Sequence, residues 1–239
     1  MKKAVCLLSG GLDSAVTAYV ARHDGCAVYA LSFSYGQRHD RELTSAQTIA
    51  REVGAVDHKI LRLPFDQIGG SSLLGSEPIP DHDYDDIGAE IPPTYVPARN
   101  TIFLSFGLAW GEVIGADLLY IGVNAVDYSG YPDCRHEYIE AFQKLASVAT
   151  KQAVDGHPIR LQTPLISLSK ADIVRLGARL HVPFEHTWSC YRGAAKACGR
   201  CDSCLLRLRG FQDAGIPDPL PYQTYPDWYT QQKTTKRTK

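Results

Sequence analysis

Apolar positions along the 239-residue chain alternate between short continuous runs and helically spaced stretches. Val5 to Leu8 reads as a buried strand, and Leu12 to His23 behind it as an amphipathic helix. Ala27 to Phe33 is a second apolar run. Arg41 to Val53 follows with Leu43, Ala46, Ile49, Ala50 and Val53 on one helical face. Lys59 to Leu63 alternates as a third strand, and Asn100 to Ile114 is a strongly apolar helix. Leu118 to Val123 is short and apolar throughout, as a central parallel strand should be. One helix is expected over Glu137 to Val154, a strand at Ile159 to Gln162 and a helix over Lys170 to Leu180. This β-α-β alternation predicts an α/β fold, a doubly wound parallel sheet with helices on both faces. Ligands of such sheets sit at the carboxyl ends of the strands. The segments there are Ser9 to Ser14, Ser32 to His39 and Asn124 to Cys134, and the three are expected to meet.

The first of these segments reads Ser-Gly-Gly-Leu-Asp-Ser between strand and helix. Paired glycines let the backbone approach an anion, and the helix behind them aims its unpaired N–H groups at the same place. Ser9 and Ser14 add hydroxyl donors, and Asp13 can hold a metal ion or orient the loop. The same residues would also make a plain tight turn whose helix is capped by Asp13 or Ser14. No Gly-x-x-x-x-Gly-Lys-Ser/Thr occurs, and no Gly-x-Gly-x-x-Gly follows the first strand, which argues against γ-phosphate transfer and dinucleotide sites. The loop looks like that of the ATP pyrophosphatase families, which split ATP between its α and β phosphates.

Composition narrows the picture little. Hydrophobic residues make up 44% and charged residues 21%, ordinary for a globular domain. No apolar run approaches a membrane span, and the short run after Met-Lys-Lys is too brief for a signal peptide, so a cytoplasmic protein without membrane contact is expected. The net charge is −1, and setting aside Lys233, Lys236, Arg237 and Lys239 at the end leaves −5, a poor basis for binding nucleic acid. Residues 64–98 carry seven acids, no Lys or Arg and several prolines, so this stretch reads as a solvated loop, a lid or a subunit contact. From residue 217 the chain is polar and expected to be a flexible tail.

Of seven cysteines, Cys190, Cys198, Cys201 and Cys204 are spaced C-x7-C-x2-C-x2-C. Overlapping C-x-x-C pairs with a fourth thiolate from a preceding loop predict a closed four-thiolate metal site, structural because no position is open. Lys196, Arg200, Arg207 and Arg209 stand nearby to offset its charge. Zinc is the reading taken; an iron–sulfur cluster would use the same thiolates. The resulting organisation is an ATP-binding α/β domain over 1–185, a small zinc knuckle over 186–216 and the tail over 217–239.

Together the glycine loop and the cysteine knuckle resemble the 7-cyano-7-deazaguanine synthase family of queuosine biosynthesis. The resemblance extends over Phe33 to His39, Tyr95 to Asn100, Asp127 to Arg135, Thr163 to Leu165 and Lys170 to Asp172. The family often has glycine where Ala98 stands, so Ala98 must adopt the same backbone angles. The resemblance implies a Rossmann-like, adenine nucleotide alpha-hydrolase-like fold with one structural Zn²⁺ per chain. It implies a carbon–nitrogen ligase that uses ATP with Mg²⁺ to turn 7-carboxy-7-deazaguanine and ammonia into the nitrile, through an adenylylated carboxylate and an amide. The implied ATP site is Leu8, Ser9, Gly10, Gly11, Leu12, Asp13, Ser14, Ala15, Val16, Thr17 and Ala18. Catalytic roles fall to Ser9, Asp13, Ser14, Arg38, His39, Arg99 and Lys170, with His39 a candidate proton shuttle. Substrate would meet Asn100, Asp127, Tyr128, Tyr131 and Asp133; a carboxylate suits the N–H donors of a guanine-type edge, and a tyrosine can stack on the ring. Asp133 could equally be a helix cap, and Cys134 reads as a packed small residue. The expected assembly is a homodimer. The alternatives are a tRNA-thiolating pyrophosphatase or other adenylating amidoligase, and a zinc-knuckle nucleic-acid module.

Overall fold

The computed structural model describes residues 1–37, 40–75, 78–87, 90–124 and 131–229. Strands β1 (Lys3–Leu7), β2 (Ala27–Ser34), β3 (Asp57–Arg62), β4 (Leu118–Tyr120) and β5 (Arg160–Gln162) form one parallel sheet in the order β3-β2-β1-β4-β5. The strand order reverses beside β1, so the carboxyl ends of β1 and β4 flank the crevice where such sheets bind ligands. Side chains alternate across the sheet with period two. Ala4, Cys6, Val28, Ala30, Leu118 and Tyr120 enter one core, while Val5, Leu7, Leu31, Phe33 and Leu119 enter the other.

The helices are α1 (Leu12–His23), α2 (Arg41–Glu52), α3 (Arg99–Ile114), α4 (His136–Ala146), α5 (Lys151–Val154), α6 (Lys170–Arg179) and α7 (Asp202–Ala214). Val16, Ile49 and Ile173 place α1, α2 and α6 on the first face, and Leu104 and Phe142 place α3 and α4 on the second. Helix α7 bridges them, with Phe211 in one core and Leu208 in the other. None of the helices described is long and apolar enough to cross a membrane.

Two expectations are corrected. The helix predicted over Glu137 to Val154 is two helices, because Thr150 leaves helical angles and its hydroxyl accepts from Ala153 N at 3.1 Å, capping a new turn. The flexible tail is packed chain as far as residue 229. Asp218 accepts two bonds from the buried Arg207, at 2.8 and 2.9 Å, and Leu220 and Tyr222 are buried. Ala98 sits at φ 53°, ψ 23° as the cap of α3, the left-handed angles that glycine would take there.

Candidate functional site

A cavity of about 530 Å³ opens at the carboxyl ends of β1, β2 and β4. That volume suits a small-molecule ligand. Ser9, Gly11 and Asp13 from the first segment, Phe33, Tyr35 and Gln37 from the second, and Tyr131 and Cys134 from the third all line it, so the three segments do converge. Arg38, His39, Asp127 and Tyr128 lie outside the described residues.

The loop is wound by its own hydroxyls. Ser14 Oγ donates to Gly11 O at 3.1 Å and accepts from Ser9 N at 3.2 Å, and Ser9 Oγ accepts from Gly11 N at 3.2 Å. The cap of α1 is Gly11, without a side-chain cap bond, so neither Asp13 nor Ser14 closes the helix end. The first-turn N–H groups have no intrahelical acceptors and face the anion position that a helix N-terminus provides. Only part of the implied ATP segment reaches the cavity. Leu8, Ser9, Gly11, Leu12, Asp13 and Ser14 line it, but Ala15, Val16 and Ala18 are fully buried against the sheet, and Thr17 is buried too. Those four lie further along the helix axis, beyond the turn that faces the cavity. Gly10 faces the other way, onto α2.

Asp13 Oδ2 accepts from Lys170 Nζ at 2.8 Å and from Asn124 Nδ2 at 3.1 Å, while its Oδ1 is buried without a hydrogen-bond partner among the described residues. Lys170 is the first residue of α6 and lies across Gly210 of α7, where a Cβ would come within 2.5 Å of Lys170 Cγ. That close approach steers the ammonium towards the loop.

Arg99 and Glu42 face the cavity together. Burial opposes the Arg99 charge, but Tyr35, Tyr131, Asp133 and Cys134 around it raise its pKa above the ordinary value. Burial pushes the Glu42 carboxyl up to about 7, with Arg99 pulling it down and Cys190 adding to the rise. Phe33 and Phe103 stack at 4.0 Å between ring centroids and give the cavity a flat apolar wall. Tyr131 lines it as expected. Asn100 also lines it, yet its side-chain amide donates to Asp133 O at 3.1 Å. Asp133 does not line the cavity: its Oδ2 accepts from Asn100 N at 2.9 Å, so its observed work is to cap α3, a helix more than thirty residues earlier in the chain.

The four knuckle cysteines are buried, and their sulfurs all lie within 4.8 Å of one another, an arrangement able to hold a metal ion. Cys190 Sγ accepts from Arg192 N and Cys198 N, at 3.4 and 3.3 Å, and Cys198 Sγ from Arg200 N and Cys201 N, at 3.5 and 3.3 Å. The neighbouring thiols Cys190, Cys201 and Cys204, joined by the Arg200 N–H, hold the Cys198 thiol well below its usual range. Of the basic residues expected to balance the site, Arg207 is bound to Asp218 and also interacts with Cys204, and Arg209 is bound to Asp213; Arg192, not anticipated, interacts with Cys198 and Cys201.

Sequence reasoning missed Glu42, Asn124 and the contribution of residues 82–87 and 90–94 to the cavity wall. Glu42 looked like one more charge on an amphipathic helix; its position at the first turn after β2 was the available signal. Residues 79–87 and 90–94 are neither a free loop nor solvated along their length: Ile79 and Thr94 are buried, and His82, Ile91 and Pro93 line the cavity.

The model of the family "Queuosine biosynthesis protein QueC" matches residues 3–215. A 7-cyano-7-deazaguanine synthase from Methylococcus capsulatus is 55% identical over 227 residues, covering 94% of this chain and all of its own. One from Xanthomonas axonopodis pv. citri is 56% identical, covering 93% of this chain and 98% of its own. Among solved structures, an NMN synthetase from Francisella tularensis aligns over 90% of this chain and 77% of its own at 18% identity, with a TM-score of 0.48.

Proposed function

We propose, from the premise that the chain belongs to the QueC family of queuosine biosynthesis proteins, that it is an ATP-dependent ligase converting 7-carboxy-7-deazaguanine and ammonia to 7-cyano-7-deazaguanine. The observation that carries this is a single cavity with an anion loop at one end and a flat aromatic wall, Arg99 and Tyr131 in the same space. Family membership and the acidic body speak against the tRNA-thiolating and nucleic-acid-binding alternatives.

A carboxylate conjugated to an electron-rich pyrrole resists ammonia until its oxygen becomes a leaving group. In the first stage that oxygen bonds to the α-phosphorus of ATP and pyrophosphate departs. Ammonia then forms the C–N bond, the C–O bond to AMP breaks, and one proton leaves the nitrogen. In the second stage the amide oxygen attacks the α-phosphorus of another ATP and pyrophosphate leaves again. Loss of two protons from nitrogen and of AMP from carbon yields the C≡N group. Both stages ask the same of the protein: hold pyrophosphate and offset charge at the α-phosphorus. Ser9, Gly11 and the first turn of α1 supply donors, and Lys170 and Arg99 supply positive charge. The orphaned Asp13 Oδ1 fits a Mg²⁺ ion arriving with ATP, which would add positive charge against the phosphates. Tyr131 and the Phe33–Phe103 wall suit the flat deazaguanine ring.

The knuckle fits Zn²⁺. A tetrahedral ion with bonds of about 2.3 Å sets its thiolates about 3.8 Å apart, and Cys198 Sγ lies 3.8 Å from Cys204 Sγ. Bound there, zinc supplies folding free energy and no chemistry.

The deciding experiment is the nucleotide product. With 7-carboxy-7-deazaguanine, ammonium and ATP, the expected yield is two AMP and two pyrophosphate per nitrile. Formation of ADP and phosphate overturns the reading. Glu42 is the carboxylate placed to take the protons lost from nitrogen. The value of kcat/KM is then expected to rise as pH passes about 7, where Glu42 becomes the ionised base. Glu42→Gln should erase that limb and lower kcat by about 10²- to 10⁴-fold. A pH profile unchanged in the variant removes Glu42 from the mechanism.

A further inference from the structure

Residues 79–87 and 90–94 run between the knuckle and the cavity, and the first of these two stretches is attached at the knuckle. Arg192 Nη2 donates to Ile79 O at 3.0 Å and to Asp81 Oδ1 at 2.5 Å, and Arg200 Nε lies 3.7 Å from the other Asp81 oxygen. One residue on, His82 Nδ1 is 2.9 Å from Asp202 Oδ1, at the start of α7. Tyr84 is stacked under the Arg209 guanidinium of the same helix, at 5.3 Å. Arg192 and Arg200 also donate their backbone N–H groups to the sulfurs of Cys190 and Cys198. The two residues whose backbones are set by the thiolates are therefore the two whose side chains grip Asp81. Beyond the grip, Ile91, Pro93 and Thr94 line the cavity, and Thr94 Oγ1 lies 3.4 Å from the Tyr131 hydroxyl.

We propose that Asp81 is a positioning residue, through which the thiolate knuckle holds residues 79–87 and 90–94 as the roof over the substrate end of the cavity. The metal site then has a second task besides stability: it sets the wall against which the flat substrate is held, at the Tyr131 end rather than at the glycine loop. The substrate named here rests on the function proposed above, whereas the roof's attachment rests on the geometry alone. A partly exposed ion pair contributes less than a buried one, but Arg192 holds two acceptors at once and has little freedom to find others.

The test compares wild type with Asp81→Asn and Asp81→Glu in the full, metal-loaded chain. Metal content, amide hydrogen exchange over 78–94 and steady-state kinetics are measured for each. Asp81→Asn is expected to keep its metal, to exchange faster over 78–94 only, and to raise KM for 7-carboxy-7-deazaguanine about five- to tenfold. KM for ATP and kcat should stay within about twofold of wild type, and Asp81→Glu should recover most of the loss because it restores the charge. Unchanged exchange over 78–94, or a KM for both substrates that rises alike, overturns the proposal. If wild type does not turn over the deazaguanine, the proposed function fails, and the exchange measurement still decides whether Asp81 holds the roof.

Discussion

Gly10→Ala is expected to lower the melting temperature by roughly 4–20 °C, whereas Gly11→Val should melt close to wild type and lose ATP. The two glycines are adjacent, and composition alone treats them as equivalent. Gly10 has φ +87°, and a Cβ there would lie 2.2 Å from Glu42 O and 2.6 Å from Ala46 N. Both atoms are backbone of α2 and cannot turn aside as a side-chain tip would. The left-handed angle costs about 1–2 kcal/mol and overpacking about 1–3 kcal/mol. A chain of this size loses about 2–4 °C per kcal/mol, which gives the stated range. Gly11 has φ −74° and ψ 168°, extended angles open to any residue, and its nearest neighbours would be Ser9 Oγ at 3.3 Å and Trp188 O at 3.7 Å. It faces the cavity, so valine there fills the place of a phosphate instead of straining the fold. Losing one or more charge-assisted bonds to that phosphate weakens binding by about a hundredfold. Thermal melts and isothermal titration of both variants check this; wild-type ATP affinity in folded Gly11→Val removes the anion site from the loop.

That division between Gly10 and Gly11 marks where sequence reading stops. The strands were legible because the sheet is parallel with both faces covered, so Val5 and Leu7 find one core while Ala4 and Cys6 find the other. The site's position was legible too, since strand order places the loops at one edge. Less legible was which side of a residue faces ligand. Ala15, Val16 and Ala18 stand directly after the loop but belong to the core, and Asp133 caps a helix that begins at Arg99. Glu42 depends on Arg99 and Cys190 from two distant segments, and no local pattern encodes that meeting. The break at Thr150 escaped because Val148 and Val154 continue an apolar spacing while lying exposed. Residues 217–229 escaped because their anchors, the buried pair Arg207 with Asp218 and the backbone bonds of Ala197 with Pro221 and Gln223, join residues with no local pattern to announce them.

Cys201→Ser is expected to produce the largest loss of all, a chain that retains little metal and unfolds well below the wild-type transition. Cys201 is fully buried at the N-cap position of α7, without a side-chain cap bond, and its N–H donates to Cys198 Sγ. Leu205, Leu208 and Phe211 of the same helix are buried, so losing the metal at its first turn loosens the anchor of a helix shared by both cores. Structural zinc binds with an apparent free energy of about 10–16 kcal/mol at neutral pH, comparable with the entire stability of a domain of about 5–15 kcal/mol. Even a fraction of that loss removes most of the folded population at growth temperature. Cys26→Ser, remote from the knuckle, should keep its metal and serves as the control. Metal analysis should find one zinc per wild-type chain and no visible absorption band. Brown protein carrying iron and acid-labile sulfide would replace zinc by a cluster. A Cys201→Ser protein that melts like wild type but is inactive would move the metal from the fold to the chemistry.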